Sequence, residues 1–251
     1  MKPVIVRNVR IGEGMPKICV PIVGFTREQI LEEGRNLISH PMDVVEWRVD
    51  FYQDCYLTKQ VVETAGLLRE ILGEIPLLFT FRTKGEGGEK EISGEQYKNL
   101  NLAAASSGFV DLIDVEAFFD ENLAREIIDK VHQAGKKVIV SNHDFNKTPD
   151  REEIVRRLAF MRELGGDIPK IAVMPQSEED VLTLLSATLE TSKNLMDCPI
   201  ITMSMGKCGM VSRLSGGLFG SALTFGTVGK SSAPGQVPAG RLREILEMLR
   251  L

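Results

Sequence analysis

Lys170 lies inside Asp167-Ile168-Pro169-Lys170-Ile171-Ala172-Val173-Met174-Pro175, an apolar run with a proline on each side. In an α/β protein such a strand is covered on both faces, so a charged amine there is expensive to keep. Losing the proton is one way out, and a desolvated neutral amine attacks carbonyl carbons. The run therefore nominates Lys170 to form a Schiff base with a ketone. A strand-start lysine with its stem on the sheet and its head in water gives the same pattern, so the other strands must decide.

The preceding apolar strand ends in Ser141-Asn142-His143. Of the other histidines, His40 precedes Pro41 in a loop, and His132 falls near a helix C-terminus, where the dipole alone favours it. Neighbouring strands run about 5 Å apart, so His143 and Lys170 would face one small space. An iminium acidifies the adjacent C–H, and a histidine can take that proton as general base. A hydroxyl one carbon further would then leave as water. The pair points to dehydration or aldol-type cleavage without choosing between them.

More ionisable residues fall at strand ends: Glu46, Arg48 and Asp50, then Arg82 with Glu86, then Asp114 and Glu116. Each alone reads as a solvated strand end. Repeated over five consecutive strands, they read as one mouth crowded with both signs of charge, where pKa values are perturbed for chemistry. A metal held by His143, Asp144 and Glu116 is a weak alternative, because no second histidine is near. Gly85-Glu86-Gly87-Gly88-Glu89 has the glycines of a phosphate cradle, but its carboxylates repel phosphate.

The elements that must position these residues alternate regularly. A hairpin turning near Arg7-Asn8 comes first. Strands follow at Lys17–Val23, Asp43–Asp50, Ile75–Arg82, Val110–Ala117, Lys136–Asn142, the Lys170 run, Pro199–Met203 and Ser221–Gly226. Helices fill the intervals; Thr26 with Gln29 fits a capping box, Ser93 caps the helix after the glycine loop, and Thr148-Pro149 opens a later one. A helix is also expected over Ser177–Leu195, and a last one from Arg241. Eight strand–helix units of about 30 residues each predict a single-domain (β/α)8 TIM barrel over residues 1–251, its bottom closed by the N-terminal hairpin. A doubly wound sheet is the runner-up, but no Gly-x-Gly-x-x-Gly follows an early strand.

The chain has 251 residues, 43% of them hydrophobic, enough for one large core. A net charge of −5 offers no basic excess for nucleic acid. The four cysteines have neither disulfide-scaffold nor zinc-finger spacing and read as reduced thiols. No apolar run reaches the ~18 residues of a membrane helix, and the N-terminus lacks a signal-peptide block. The expectation is a cytoplasmic protein with a small-molecule substrate.

Taken together, Glu46-Trp47-Arg48-Val49-Asp50, Phe79-Thr80-Phe81-Arg82 with Glu86-Gly87-Gly88-Glu89, Asp114-Val115-Glu116, Ser141-Asn142-His143-Asp144-Phe145, Pro169-Lys170-Ile171-Ala172, Met203-Ser204-Met205-Gly206 and Ser232-Ala233-Pro234-Gly235-Gln236 resemble type I 3-dehydroquinate dehydratase. The match runs nearly the whole chain, in order. The resemblance implies a homodimeric barrel that dehydrates 3-dehydroquinate to 3-dehydroshikimate in the shikimate pathway, with no metal and no organic cofactor. By position, Lys170 would form the imine, His143 would move the protons, and Glu86 would orient His143. Arg213 would take the substrate carboxylate. Glu46, Arg48 and Arg82 would serve ring hydroxyls and charge balance. Ser232 and Gln236 would close over the substrate from a Gly/Ser/Pro-rich lid, and Met203, Met205 and Phe225 would keep Lys170 dry. Pro21 departs from members with a serine there and supplies no hydroxyl. Two alternatives stand beside this reading. One is a class I aldolase or transaldolase-like barrel, which would want a phosphate site near the seventh and eighth strands. The other is a catalytically silent quinate-binding barrel, which predicts loss of Lys170 or His143.

Overall fold

The structure, a computed structural model, describes residues 2–229 and 231–250. The hairpin is β1 (Val4–Val6) and β2 (Val9–Ile11), antiparallel, with Arg7 in the turn at φ 52°. The parallel strands are β3 (Lys17–Ile22), β4 (Val44–Arg48), β5 (Leu77–Thr80), β6 (Leu112–Glu116), β7 (Lys137–Asp144), β8 (Ile168–Val173), β9 (Ile201–Ser204) and β10 (Leu223–Thr227). Each pairs with the next from β3 to β9, and β10 returns to pair with β3. The last seam, between β9 and β10, carries a single bridge, Ile200 to Ser221. A short β11 (Val237–Pro238) extends the edge of β10. The outer ring is α1 (Arg27–Leu37), α2 (Thr58–Leu72), α3 (Gly94–Ser106), α4 (Glu121–Gln133), α5 (Arg151–Glu163), α6 (Glu178–Glu190), α7 (Met210–Phe219) and α8 (Ala239–Met248). This is the (β/α)8 barrel that the repeat predicts.

The core has two layers because each strand is buried on both faces. One face packs on the helices through residues such as Val45, Trp47, Phe79, Val115, Val140 and Ile171. The other fills the barrel with Cys19, Val44, Leu78, Leu112, Ile139, Ile168, Ile201 and Leu223. Val4, Val6 and Ile11 belong to this inner cluster, so the hairpin does plug the bottom.

The predicted capping box forms at Thr26 with Gln29, and the predicted Ser93 cap proves to be a second box, closed by Gln96. Most boundaries shift by one or two residues, and three of the differences have a clear local cause. Asp50 leaves the second strand for a 3-10 turn, Val49–Phe51, where it meets Arg48. Thr148-Pro149 does not open α5; Asp150 is the N-cap, and its carboxylate accepts from the Glu153 amide at 2.8 Å. The helix expected to reach Leu195 stops at Glu190 and relaxes into a π turn, Thr191–Leu195.

The bottom rim carries a repeated device that sequence patterning does not reveal. Just before β4, Asp43 accepts the Ile18 amide at 2.7 Å and is paired with Arg243. Just before β6, Asp111 accepts the Leu77 amide at 2.9 Å and is clamped by Arg69 and Arg7. Just before β8, Asp167 accepts the Val138 amide at 2.9 Å and meets Lys137 and His132. At the β9–β10 seam Ser221 Oγ accepts the Thr202 amide at 3.1 Å. Alternate strand pairs are thus pinned in register at their entry, by acceptors that satisfy amides the ladder leaves open.

Removing the Asp111 carboxylate strands two guanidiniums and a buried amide. Asp111→Ala should cost on the order of 3 kcal/mol in urea unfolding. Asp197→Ala, at a carboxylate 62% exposed, should shift less than about 0.5 kcal/mol. Equal shifts in the two variants would remove the pinning role.

Candidate active site

Carboxyl ends of the strands open into a cavity of about 430 Å³. Lys170 enters from β8, Glu46 and Arg48 from β4, and His143 from the end of β7. Arg82 follows β5, and Glu86 sits in a 3-10 turn, Lys84–Glu86, inside the glycine loop. Met203 and Met205 come from β9 and the residues after it, Arg213 from α7, Phe225 from β10, and Ser232 and Gln236 from the loop beyond. The wall therefore contains all twelve residues nominated from sequence. It also contains Gly87, Phe145, Ala172 and Ala233, which that reading passed over. Pro21 stands in register with Glu46 but is not on the wall.

Burial of Lys170 is met by pairing. Its Nζ lies 3.1 Å from Asp114 Oδ2 and 4.0 Å from Glu46 Oε1, with the Phe225 ring centroid 4.7 Å away. Shedding the proton is thus not the only answer that this strand has for a buried amine. Glu46 is fixed by the Thr80 hydroxyl at 2.9 Å. Burial works against the charge of Asp114, but Arg82 and Lys170 outweigh it and hold the carboxyl below its usual range.

Arg82 ties the strands together. It reaches Asp114 at 2.8 Å, Glu116 at 2.9 Å and the Ser141 hydroxyl at 3.0 Å, with Glu86 at 3.6 Å. Three of its N–H groups meet Glu116, Ser141 and Asp114, which fixes the guanidinium on the cavity wall and sets its charge against the carboxylates. Arg48 is bidentate on Asp50, at 2.8 Å twice, and gives Nη1 to the Ser232 carbonyl at 3.3 Å.

The Glu86 carboxylate sits against His143. Oε2 accepts the His143 backbone amide at 2.9 Å and lies 2.8 Å from Nδ1, while Oε1 accepts from the Asn142 side chain at 3.0 Å. Burial and the charge of Glu116 push Glu86 up to about 8, against the pull of Arg82. His143 is held well below its usual range by burial, then by Arg82, Lys170, Arg48 and Arg213. A neutral ring with Nδ1 held by a carboxyl presents Nε2 for proton transfer.

Arg213 differs from the other buried cations. Nη2 donates to the Pro234 carbonyl at 3.0 Å, Nη1 lies 3.4 Å from the Met203 sulfur, and Nε has no partner. Burial alone pushes its pKa down to about 10. Among the described residues no carboxylate pairs with it, which leaves a desolvated guanidinium suited to an anionic ligand. The loop lies docked beside it: Gln236 exchanges hydrogen bonds with Ser232, and a Cβ at Gly235 would strike the Gly206 carbonyl. Residue 230 of that loop lies outside the described residues.

The alternatives find little support here. Among the described residues no group of three His, Cys, Asp or Glu could hold a metal. The Ser204 amide donates to Ser212 and the Met205 amide to Val173, so β9 ends in no free phosphate nest. No helix among the described residues is long and apolar enough to cross a membrane.

Residues 18–251 match the model of the type I 3-dehydroquinase family. The 3-dehydroquinate dehydratase of Klebsiella pneumoniae is 52% identical over 246 residues, 98% of each chain. The crystal structure of type I 3-dehydroquinate dehydratase from Clostridium difficile, with covalently modified comenic acid, superposes with a TM-score of 0.97 at 52% identity, over 99% of this chain and 98% of that one. The enzyme of the same name from Enterococcus faecalis gives 0.93 at 47% identity, over 99% and 100%.

Glu86 makes folding stability depend on pH. Its folded pKa of about 8 exceeds its usual value near 4.5, so the folded state holds a proton that the unfolded chain has released. That contribution is lost as pH rises through about 8. His143, with a depressed folded pKa, acts oppositely, but only up to about pH 6.5. From about pH 6.5 to about pH 9, Glu86→Gln should therefore gain stability relative to the wild type, by on the order of 1–2 kcal/mol in urea unfolding. Parallel pH profiles would show that Glu86 does not titrate there.

Proposed function

The chain belongs to the type I 3-dehydroquinase family and is a hydro-lyase that dehydrates 3-dehydroquinate, and we propose that it works through a Schiff base on Lys170 with His143 as general acid and base. The observation that carries this reading is one cavity holding Lys170, His143 and an Arg213 that lacks a carboxylate partner. A substrate with a carboxylate at one end and a ketone at the other satisfies Arg213 and meets Lys170 at the same time.

The Lys170 ammonium gives up a proton so that the free amine can attack the ketone carbon; that proton and a second N–H proton leave with the carbonyl oxygen as water, and the nitrogen keeps one proton as an iminium. The iminium keeps the positive charge that the ammonium carried, so Asp114 and Glu46 face the same charge before and after attachment. Electrostatic cost is therefore not added at this step. His143 Nε2 takes the proton from the carbon beside the imine, and the electron pair enters the iminium to give an enamine. The enamine pushes out the hydroxyl one carbon further, and His143 returns its proton to that oxygen as water departs. Hydrolysis of the conjugated imine frees product and amine. The water lost on imine formation is regained, so the net change is one molecule of water, without oxidation.

Glu86 orients His143, and the Met203, Met205 and Phe225 side chains keep water from the imine. Arg48 and Arg213 hold the loop through the carbonyls of Ser232 and Pro234, which supports a lid that locks when substrate is in place. The rest of the reading is a single catalytic domain over residues 1–251, acting as a homodimer in the cytoplasm.

Incubation with 3-dehydroquinate followed by borohydride should add reduced ligand mass to the peptide that holds Lys170, while the conjugated product absorbs in the ultraviolet. Lys170→Ala should give no adduct and almost no turnover. His143→Ala should still form the imine but turn over about 10²–10⁴-fold more slowly. Product without an adduct in the wild type would replace this mechanism with an imine-free elimination.

A further inference from the structure

We propose that Asn142 and Arg157 are positioning residues for the acid/base histidine: Arg157, on the helix ring, fixes the Asn142 amide so that it donates to Oε1 of Glu86 and reserves Oε2 for His143. The proposal rests on the reading of His143 given above and extends it to two residues with no part in binding substrate.

Three contacts in a row carry it. Arg157 Nη1 lies 2.9 Å from the Asn142 side-chain oxygen. The Asn142 side-chain nitrogen lies 3.0 Å from Glu86 Oε1, and Glu86 Oε2 lies 2.8 Å from His143 Nδ1. The identity of each end fixes the middle. A guanidinium only donates and a carboxylate only accepts, so the amide has one allowed orientation. Turned over, it would set N–H groups against Arg157 and a carbonyl against Glu86, two repulsive contacts in a buried place. Arg157 is itself held, by Glu153 at 2.7 Å from the preceding helical turn and over the Phe118 ring at 5.8 Å. It reaches Asp144, too, at 3.9 Å.

The consequence is an asymmetric carboxyl group. Oε1 always accepts from Asn142. When Glu86 gains a proton, that proton resides on Oε2, pointing at Nδ1, and the contact to Asn142 survives. Glu86 and His143 can thus trade a proton along one line without either side chain turning. Arg82 on the β5 side, Glu116 and Asp114 on β6 and His143 on β7 are the charged groups that face Glu86 and set how readily it gains that proton. Asn142 adds a donor that favours the anion.

Steady-state kinetics across pH test the chain of contacts in the full-length protein with 3-dehydroquinate. Asn142→Leu keeps the size of the side chain and removes the donor. It should lower kcat by about 10- to 100-fold, the range for a lost hydrogen bond to a charged group, with KM changed by less than about 3-fold. Without the donor Glu86 protonates more readily, so the acid limb of kcat should move to higher pH. Arg157→Met frees the amide to turn and should do the same more weakly. The double variant should be no slower than Asn142→Leu alone, because both act on one contact. If Asn142→Leu does not fold, Arg157→Met, altered at a side chain 19% exposed, decides by the same limb.

Unmoved acid limbs, or losses that multiply independently in the double variant, would make these residues merely structural and overturn the proposal. His143→Ala in the same assay keeps the two readings apart. Full turnover in that variant removes the acid/base role itself. Loss of turnover there, with wild-type pH profiles for Asn142→Leu and Arg157→Met, removes only the positioning role.

Discussion

Arg82 is the interaction on which the site depends. A guanidinium only 3% exposed would be prohibitive alone, and it is tolerated because Asp114, Glu116, Glu86 and Ser141 surround it. These partners come from β6, β7 and the glycine loop. One cation therefore sets where four segments stand relative to one another. Among the described residues, every buried charged side chain lies on the cavity wall or touches one that does: Glu46, Arg48, Asp50, Arg82, Glu86, Asp114, Glu116, Lys170 and Arg213. The barrel keeps its interior apolar below and concentrates its buried charge at one end.

Within that network the groups are unequal in a useful way. Arg48, Arg82 and Lys170 each have a carboxylate, and their positions are settled before any ligand arrives. Arg213 has a carbonyl, a sulfur and an unpartnered Nε instead. An incoming carboxylate gains most there, since it relieves a desolvation cost that the protein has left standing. Burial pushes Glu86 up and His143 down, which favours a neutral carboxyl beside a neutral ring over a separated ion pair. Stability is given up for this arrangement, and the entry-end aspartates, far from the cavity, work in the other direction by pinning the strands.

The repeat of apolar strands and capped helices made the barrel legible from the sequence, because a period of two and a period of 3.6 leave different marks. Thr26-x-x-Gln29 and Ser93 announced two helix starts, because caps are local and need only neighbours in the chain. Lys170 and His143 stood out for the opposite reason: each is a polar residue where the local pattern wants an apolar one. The pairing of Glu86 with His143 was legible only through resemblance, since a glutamate in a glycine loop carries no local sign that it will meet a histidine fifty-seven positions away.

The sequence by itself determined the order of elements, the closed repeat and the residue types gathered at the strand ends, for these follow from periodicity and from the cost of burying polar groups. Tertiary structure alone decided how those residues pair. That Asp114 takes Lys170, that Arg82 meets Asp114 and Glu116, that Arg213 is left without an anion, and that Asn142 stands between Arg157 and Glu86 all depend on distances across the barrel. Coulomb and hydrogen-bond energies vary steeply over an ångström or two, and spacing along the chain does not encode separations that fine.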